Sequence, residues 1–217
     1  MFIEVIARNY QECQIIEQAG NIDRIELCTN LSQGGFTPPY AVIRECTEQI
    51  KVPIRVMVRH RDTDFYCPSD EYFQLKKDIA YIKTTKAEGI VVGILTPNHQ
   101  IDLLRMQELI TLAYPLAVTF HRAFDLIKDK VTAIQQLAQL GVSTILTQGG
   151  ITPIMENLVT LQNLRNYGVQ IQGGSGINLT NYQEVSHYCD AIHLGSAVHY
   201  DGTWNTELDV TKLQQLK

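Results

Sequence analysis

The amino-acid sequence predicts an α/β protein, a single (β/α)8 TIM barrel with a parallel eight-stranded sheet, over residues 1–217. Short apolar runs rich in β-branched residues recur along the whole length with amphipathic segments between them, the pattern of repeated strand–helix units. Polar and charged residues gather at the C-terminal ends of those runs, which is where parallel α/β folds bind substrates. Both features are clearest at Leu116–Asp125, LAVTFHRAFD, where an apolar strand ends in Thr119, His121, Arg122 and Asp125. Eight units in 217 residues fall somewhat under the ~250 residues typical of such barrels. A doubly wound open sheet is the alternative arrangement.

The elements follow in order. FIEVIA is the first strand, and a helix starts near Asn9, which can cap it with Glu12 three residues on; Gly20 ends it. IDRIELC, ending at Cys28, is the second strand. Its loop carries Gly34 and Gly35 and enters a helix near Tyr40–Ile50 through Pro38 and Pro39. PIRVMVRH is the third, followed by the polar loop RDTDFYCPSD and a helix from about Asp70 to Glu88 that Gly89 closes. GIVVGIL is the fourth, with its helix around Asp102–Ala113. After the fifth strand, Val131, Ile134, Leu137 and Ala138 fall on one helical face and Gly141 stops the helix. STILTQGG is the sixth strand and turn, with Thr152 and Pro153 opening the next helix. VQIQGGSGI is the seventh, with Asn178 as cap of a helix over Leu179–Tyr188. DAIHLGSA is the eighth, and only a short helix is expected after Val198.

With 45% hydrophobic and 19% charged residues, the chain reads as a soluble globular protein. A net charge of −5 with scattered Lys and Arg gives no footprint for nucleic acid or an anionic membrane. No segment approaches a membrane span or a signal sequence, so the expected location is cytoplasmic. The five cysteines, Cys13, Cys28, Cys46, Cys67 and Cys189, form no CxxC pair and read as reduced thiols. Cys13, Cys46 and Cys189 are assigned to packing, while Cys67 can approach the mouth. His60, His99, His187 and His199 read as surface or loop residues.

Barrel closure brings Glu4, Glu26, Cys28, Arg59, Arg61, His121, Arg122, Thr147 and His193 towards one mouth. Alternation puts Arg24, Glu26 and Cys28 on one face of the second strand and Arg55, Met57 and Arg59 on one face of the third. A Glu4 and Arg24 pair there can be purely structural. Three signals carry chemistry. The first is His121, a proton carrier at a strand terminus, with Glu26 or Asp125 as its partner. The second is an anion cradle from Gly173, Gly174 and Gly176 after the seventh strand and Gly195 and Ser196 after the eighth, with Arg59, Arg61, Arg122 and Thr147 as further anion-binding residues. The third is Cys28, a soft thiol that favours Cu(I) and needs at least one further ligand, such as a histidine or methionine. No lysine lies in any predicted strand, which argues against Schiff-base chemistry, and GxSxG, Walker and HExxH motifs are absent.

DRIELC at 23–28, QGGFTP at 33–38, the VMVRHR…DF run at 56–65, TFHRAFD at 119–125, LTQGG and HLGSA occur in one order across essentially the whole chain. On these motifs the sequence resembles the CutC family of copper homeostasis proteins. The resemblance implies a cytoplasmic (β/α)8 barrel, commonly a homo-oligomer, here with a dimer favoured, that is proposed to bind Cu(I). Many sequences of that family carry a first-strand cysteine in a Glu-Val-Cys pattern, where this chain has Ile6, so only Cys28 carries over as a metal thiol. The alternative, from another class, is an enzyme acting on a small phosphorylated or other anionic metabolite with His121 as acid or base. The expected partner is therefore a copper ion or a small anionic ligand.

Overall fold

Alternation along the strands sorts their side chains into two sets, and the set facing away from the barrel axis is apolar almost throughout: Ile3, Val5, Ile25, Leu27, Val56, Ile90, Val118, Ile145, Ile171 and Ile192 are all buried. In the computed structural model, which describes residues 1–62 and 65–216, these faces pack under a ring of helices. The strands are β1 (Phe2–Ala7), β2 (Arg24–Leu27), β3 (Ile54–Met57), β4 (Gly89–Val92), β5 (Ala117–Phe120), β6 (Thr144–Thr147), β7 (Gln170–Gly173) and β8 (Ala191–Leu194). They pair in parallel in sequence order, and β8 returns to β1 to close the barrel. The helices are α1 (Tyr10–Ala19), α2 (Tyr40–Gln49), α3 (Ser69–Ile82), α4 (Leu103–Ala113), α5 (Lys130–Leu140), α6 (Leu158–Leu164), α7 (Tyr182–Ser186) and α8 (Val210–Gln214). None among the described residues is long and apolar enough to cross a membrane. Thr63 and Asp64 of the predicted third loop and motif lie outside the described residues.

The inner set is unusually polar, and most of its polar groups satisfy one another. Register places Glu4 beside both Arg24 and His193, and Glu26 beside Arg55. Arg24 pairs with Glu4 through Nε and donates to Gln172 Oε1 at 3.1 Å. Arg55 donates to Thr119 Oγ1 at 2.6 Å, to Thr144 Oγ1 at 2.8 Å and to both oxygens of Glu88. Buried guanidinium groups are tolerated only when paired in this way.

Several element boundaries differ from expectation for local reasons. Asn9 caps α1 and Gly20 ends it at φ 76°, as the sequence indicates. However, α3 ends at Ile82 rather than near Glu88, because the Thr84 and Thr85 hydroxyls donate to the Tyr81 and Ile82 carbonyls and turn the chain out of the helix. Gly89 instead opens β4, where an added Cβ would lie 2.5 Å from the Ala117 carbonyl oxygen. Gly89→Ala is therefore expected to cost about 2 kcal/mol by overpacking the β4–β5 seam, read as a lower urea midpoint at unchanged slope. Thr152 and Pro153 open a short 3-10 turn, Ile154–Glu156, and α6 begins only at Leu158; Asn157 Nδ2 donates to the Thr152 and Pro153 carbonyls and holds that turn. Asn178 organises a turn by accepting from the Thr180 N–H, so α7 is five residues from Tyr182 rather than a helix from Leu179. Val131 is exposed in the first turn of α5, while Ile134 and Leu137 are buried.

Candidate functional site

The strand ends open into a cavity of about 1040 Å³, at the upper limit of small-molecule sites. Glu26, Cys28, Arg59, His121, Arg122 and His193 line it. Asp125, Gly176, Gly195 and Ser196 line it as well. Four of the sequence-predicted positions do not. Arg61 turns to the first turn of α3, where it pairs with Asp70 and lies 3.8 Å from Glu71. Thr147 is on the outer set of β6, and its hydroxyl donates to Asp125. Gly173 lets β7 pack closely, since a Cβ there would lie 3.1 Å from Cys189 Sγ; the Gly174 N–H is spent on the Thr147 carbonyl at 3.0 Å.

His121 ends β5 and caps the 3-10 turn Arg122–Leu126, its Nδ1 accepting the Ala123 N–H at 3.2 Å. That bond assigns the remaining proton to Nε2. Burial, with Arg59 next, pushes its pKa down to about 3. It is therefore a neutral hydrogen-bond donor at ordinary pH rather than a ready base. Asp125 is fully engaged, by Thr147, by the Gln148 N–H at 3.0 Å and by Arg122 Nε at 2.9 Å. Burial raises its pKa against those bonds. Arg59 braces the β2 loop: Nη1 donates to the Gln33 and Gly35 carbonyls at 3.1 and 3.2 Å, and the guanidinium sits over the Phe36 and Phe65 rings.

Two groups stand out on the inner set. Glu26 is buried, and its Oε2 meets no hydrogen-bond donor among the described residues. Burial raises its pKa to about 7, assisted by Glu4 and opposed by His193 and Arg24. His193 Nδ1 lies 2.7 Å from Glu4 Oε1, and Glu4 also accepts from Gln172 Nε2 at 2.7 Å. Burial lowers the His193 pKa, but Glu26 and Glu4 together outweigh it and the net shift is upward. One ligand atom each from Glu4, Glu26 and His193 lie within 4.8 Å of one another. Because Arg24 already neutralises Glu4, this trio is better suited to hydrogen bonding than to holding a cation.

Beside them Cys28, Ile6, Met57 and Val91 form a small apolar cluster, packed by Leu31 and Trp204. A Cβ on Gly35, at φ 93°, would lie 2.5 Å from Cys28 Sγ and 3.7 Å from Met57 Cε. Burial, then Glu26, raises the Cys28 thiol well above its ordinary range. The other four cysteines are free and buried, and Cys67 packs in the main core instead of reaching this cavity. Sequence reasoning missed Met57 and Trp204 as lining residues. It also misplaced His199, which is fully buried with Nδ1 2.7 Å from the Thr206 carbonyl and its ring against Trp204; His60 lies in the loop after β3 as expected, with Asp78 as a partner the sequence did not show.

The CutC family model matches residues 1–198. A Proteus mirabilis relative named as a family protein CutC is 39% identical over 175 residues, covering 80% of this chain and 70% of that protein. A solved Streptococcus agalactiae structure, named for copper homeostasis and CutC, is 31% identical with a TM-score of 0.83, covering 90% of this chain and 98% of that one. A phosphoribosyl anthranilate isomerase from Thermococcus kodakaraensis, at 15% identity and TM-score 0.65 over 99% of this chain and 95% of that one, shares the barrel fold.

Proposed function

The chain belongs to the CutC family, and we propose that it serves copper homeostasis in the cytoplasm by holding Cu(I) at the barrel mouth on Cys28 and Met57. The observation that supports this most is the convergence of two soft sulfur side chains at the Gly35 turn, both lining the cavity. Thiolate and thioether donors favour Cu(I) over hard cations. The name of the Streptococcus agalactiae relative points the same way. Ile6 occupies the neighbouring first-strand position and offers no donor, so the set is one thiol and one thioether.

Charge explains why a thiol held protonated by its surroundings can still serve. A bare thiolate in the Ile6, Met57 and Val91 cluster carries an uncompensated buried charge. A Cu(I)–thiolate unit is neutral, so the metal removes the penalty that keeps the proton on sulfur. Binding must then displace that proton, and Cu(I) affinity is expected to rise by about tenfold per pH unit in the neutral range. The unpaired state of all five cysteines supports the reducing compartment this chemistry needs.

An anaerobic Cu(I) competition titration of the reduced protein tests the reading. Cys28→Ser is expected to weaken binding by more than about tenfold and Met57→Leu by less. Wild-type affinity retained in both variants would remove copper from this site.

A further inference from the structure

A monovalent ion on two sulfurs uses only one wall of the cavity. On the inner set, Glu26 lines the cavity, is 2% exposed, and its buried Oε2 has no donor among the described residues. A buried acceptor left empty costs roughly 1–3 kcal/mol, so such a group marks where a ligand donor belongs. His193 lies beside it. With Nδ1 committed to Glu4, its Nε2 points away from that carboxylate, and Glu4 is itself fixed by Arg24 and Gln172.

The rim above offers the opposite chemistry. Ser175 and Gly176, after β7, adopt successive left-handed conformations at φ 74° and 69° and line the cavity. Neither N–H meets an acceptor among the described residues. Ser196 and Ala197, opening the turn after β8, line it too, and their N–H groups are the unspent ones of a first turn. Gly174 joins rim to floor: a Cβ there would lie 3.3 Å from His193 Cβ and 2.5 Å from Leu146 Cδ1, so the lack of a side chain lets the β7 loop settle against the histidine. Arg59 and Arg122 stand at the same opening, each beside an acid, Asp62 at 3.3 Å and Asp125 at 2.9 Å, so the backbone N–H groups are its uncommitted donors.

An array of unspent N–H donors selects a compact anion, whereas an orphaned carboxyl oxygen selects a hydroxyl and rejects a second anion. We propose that the mouth binds a phosphate monoester of a small polyhydroxylated metabolite, the phosphate on the N–H groups of the β7 and β8 loops and the hydroxyls on Glu26 and His193. This site is independent of the copper reading and shares only the cavity with it.

Calorimetry on the copper-free, reduced protein tests the proposal, with glycerol 3-phosphate, ribose 5-phosphate, glucose 6-phosphate, inorganic phosphate and ribose as probes. At least one phosphate ester is expected to bind more than about tenfold tighter than inorganic phosphate, and ribose not at all. Ala197→Asp, which adds a negative charge beside the Ser196 and Ala197 N–H groups, is expected to weaken the ester and inorganic phosphate alike by about tenfold or more. Glu26→Leu is expected to bring the ester down to the affinity of inorganic phosphate. Ser196→Asp and Glu26→Gln repeat the two arms should either first variant fail to give a cooperative melt. No ester binding at millimolar concentration, ester and phosphate binding equally to wild type, or ester affinity unchanged by the rim aspartate would each overturn it.

Discussion

Arg24→Met is expected to destabilise the protein by about 3–5 kcal/mol, the usual consequence of leaving one member of a buried ion pair behind. Arg24 is 4% exposed and Glu4 is wholly buried. Glu4 tolerates burial because its own bonds oppose it: the His193 hydrogen bond and the Arg24 charge hold its carboxyl well below the usual carboxylate range. Methionine keeps much of the packing, including part of the contact with the Phe2 ring 4.9 Å from the guanidinium, and removes only the charge and two donors. Glu4 then faces Gln172 and His193 alone. The double variant Glu4→Gln with Arg24→Met leaves no buried charge in the pair and is expected to recover most of the loss, so a double-mutant cycle from urea unfolding gives a large coupling. A single-variant loss under about 1 kcal/mol would mean that water or rearrangement already screens the pair.

The same alternation made most of the barrel and part of the site legible from sequence. Arg24, Glu26 and Cys28 share a face by strand periodicity alone, as do Arg55, Met57 and Arg59, and the register delivers each to the interior. Strict use of the same rule places Thr147 on the outer set with Ile145, one residue out of phase with Thr144 and Leu146. Arg61 follows Arg59 at the strand period, but β3 has already ended. Its direction is then set by Asp70 and Glu71, acidic residues in the first turn of α3. Met57 carries no mark in sequence that separates a sulfur at the mouth from a sulfur in the core. Trp204 and His199 belong to the segment after β8, which has no apolar period to read; only the folded chain brings Arg8 to the Trp204 carbonyl and seats the indole on the Cys28 cluster. The β7 loop shows the limit of helix signals, since the Asn181 side chain accepts from the Asn178 N–H and the Asn178 side chain from the Thr180 N–H, a turn that delays the helix their sequence pattern announces.

His121→Gln and Glu26→Gln are expected to respond to acid in opposite directions. The pKa of His121 is depressed from 6.5 to about 3. Below pH 6.5 the unfolded chain takes up a proton that the folded chain refuses, so this residue removes stability as pH falls. The pKa of Glu26 is raised from 4.5 to about 7. Above pH 4.5 the unfolded chain gives up a proton that the folded chain keeps until about pH 7, so this residue returns stability as pH falls. Between pH 7 and pH 5 each effect amounts to about 2 kcal/mol, and they nearly cancel in the wild type. Removing His121 leaves the Glu26 gain, and removing Glu26 leaves the His121 loss. The His193 pKa is raised, which adds stability on acidification to wild type and to both variants. That gain shrinks in Glu26→Gln because Glu26 is the leading cause of the rise, which widens the contrast. Glu4, with its carboxyl held low, surrenders its contribution only as pH falls below its unfolded value of 4.5, outside the window. Urea unfolding at pH 7 and pH 5 should therefore separate the two variants by about 4 kcal/mol in their pH response. If they shift in parallel, the mouth is wetter than its burial implies, and neither a neutral His121 nor a protonated Glu26 can be assumed for whatever ligand enters it.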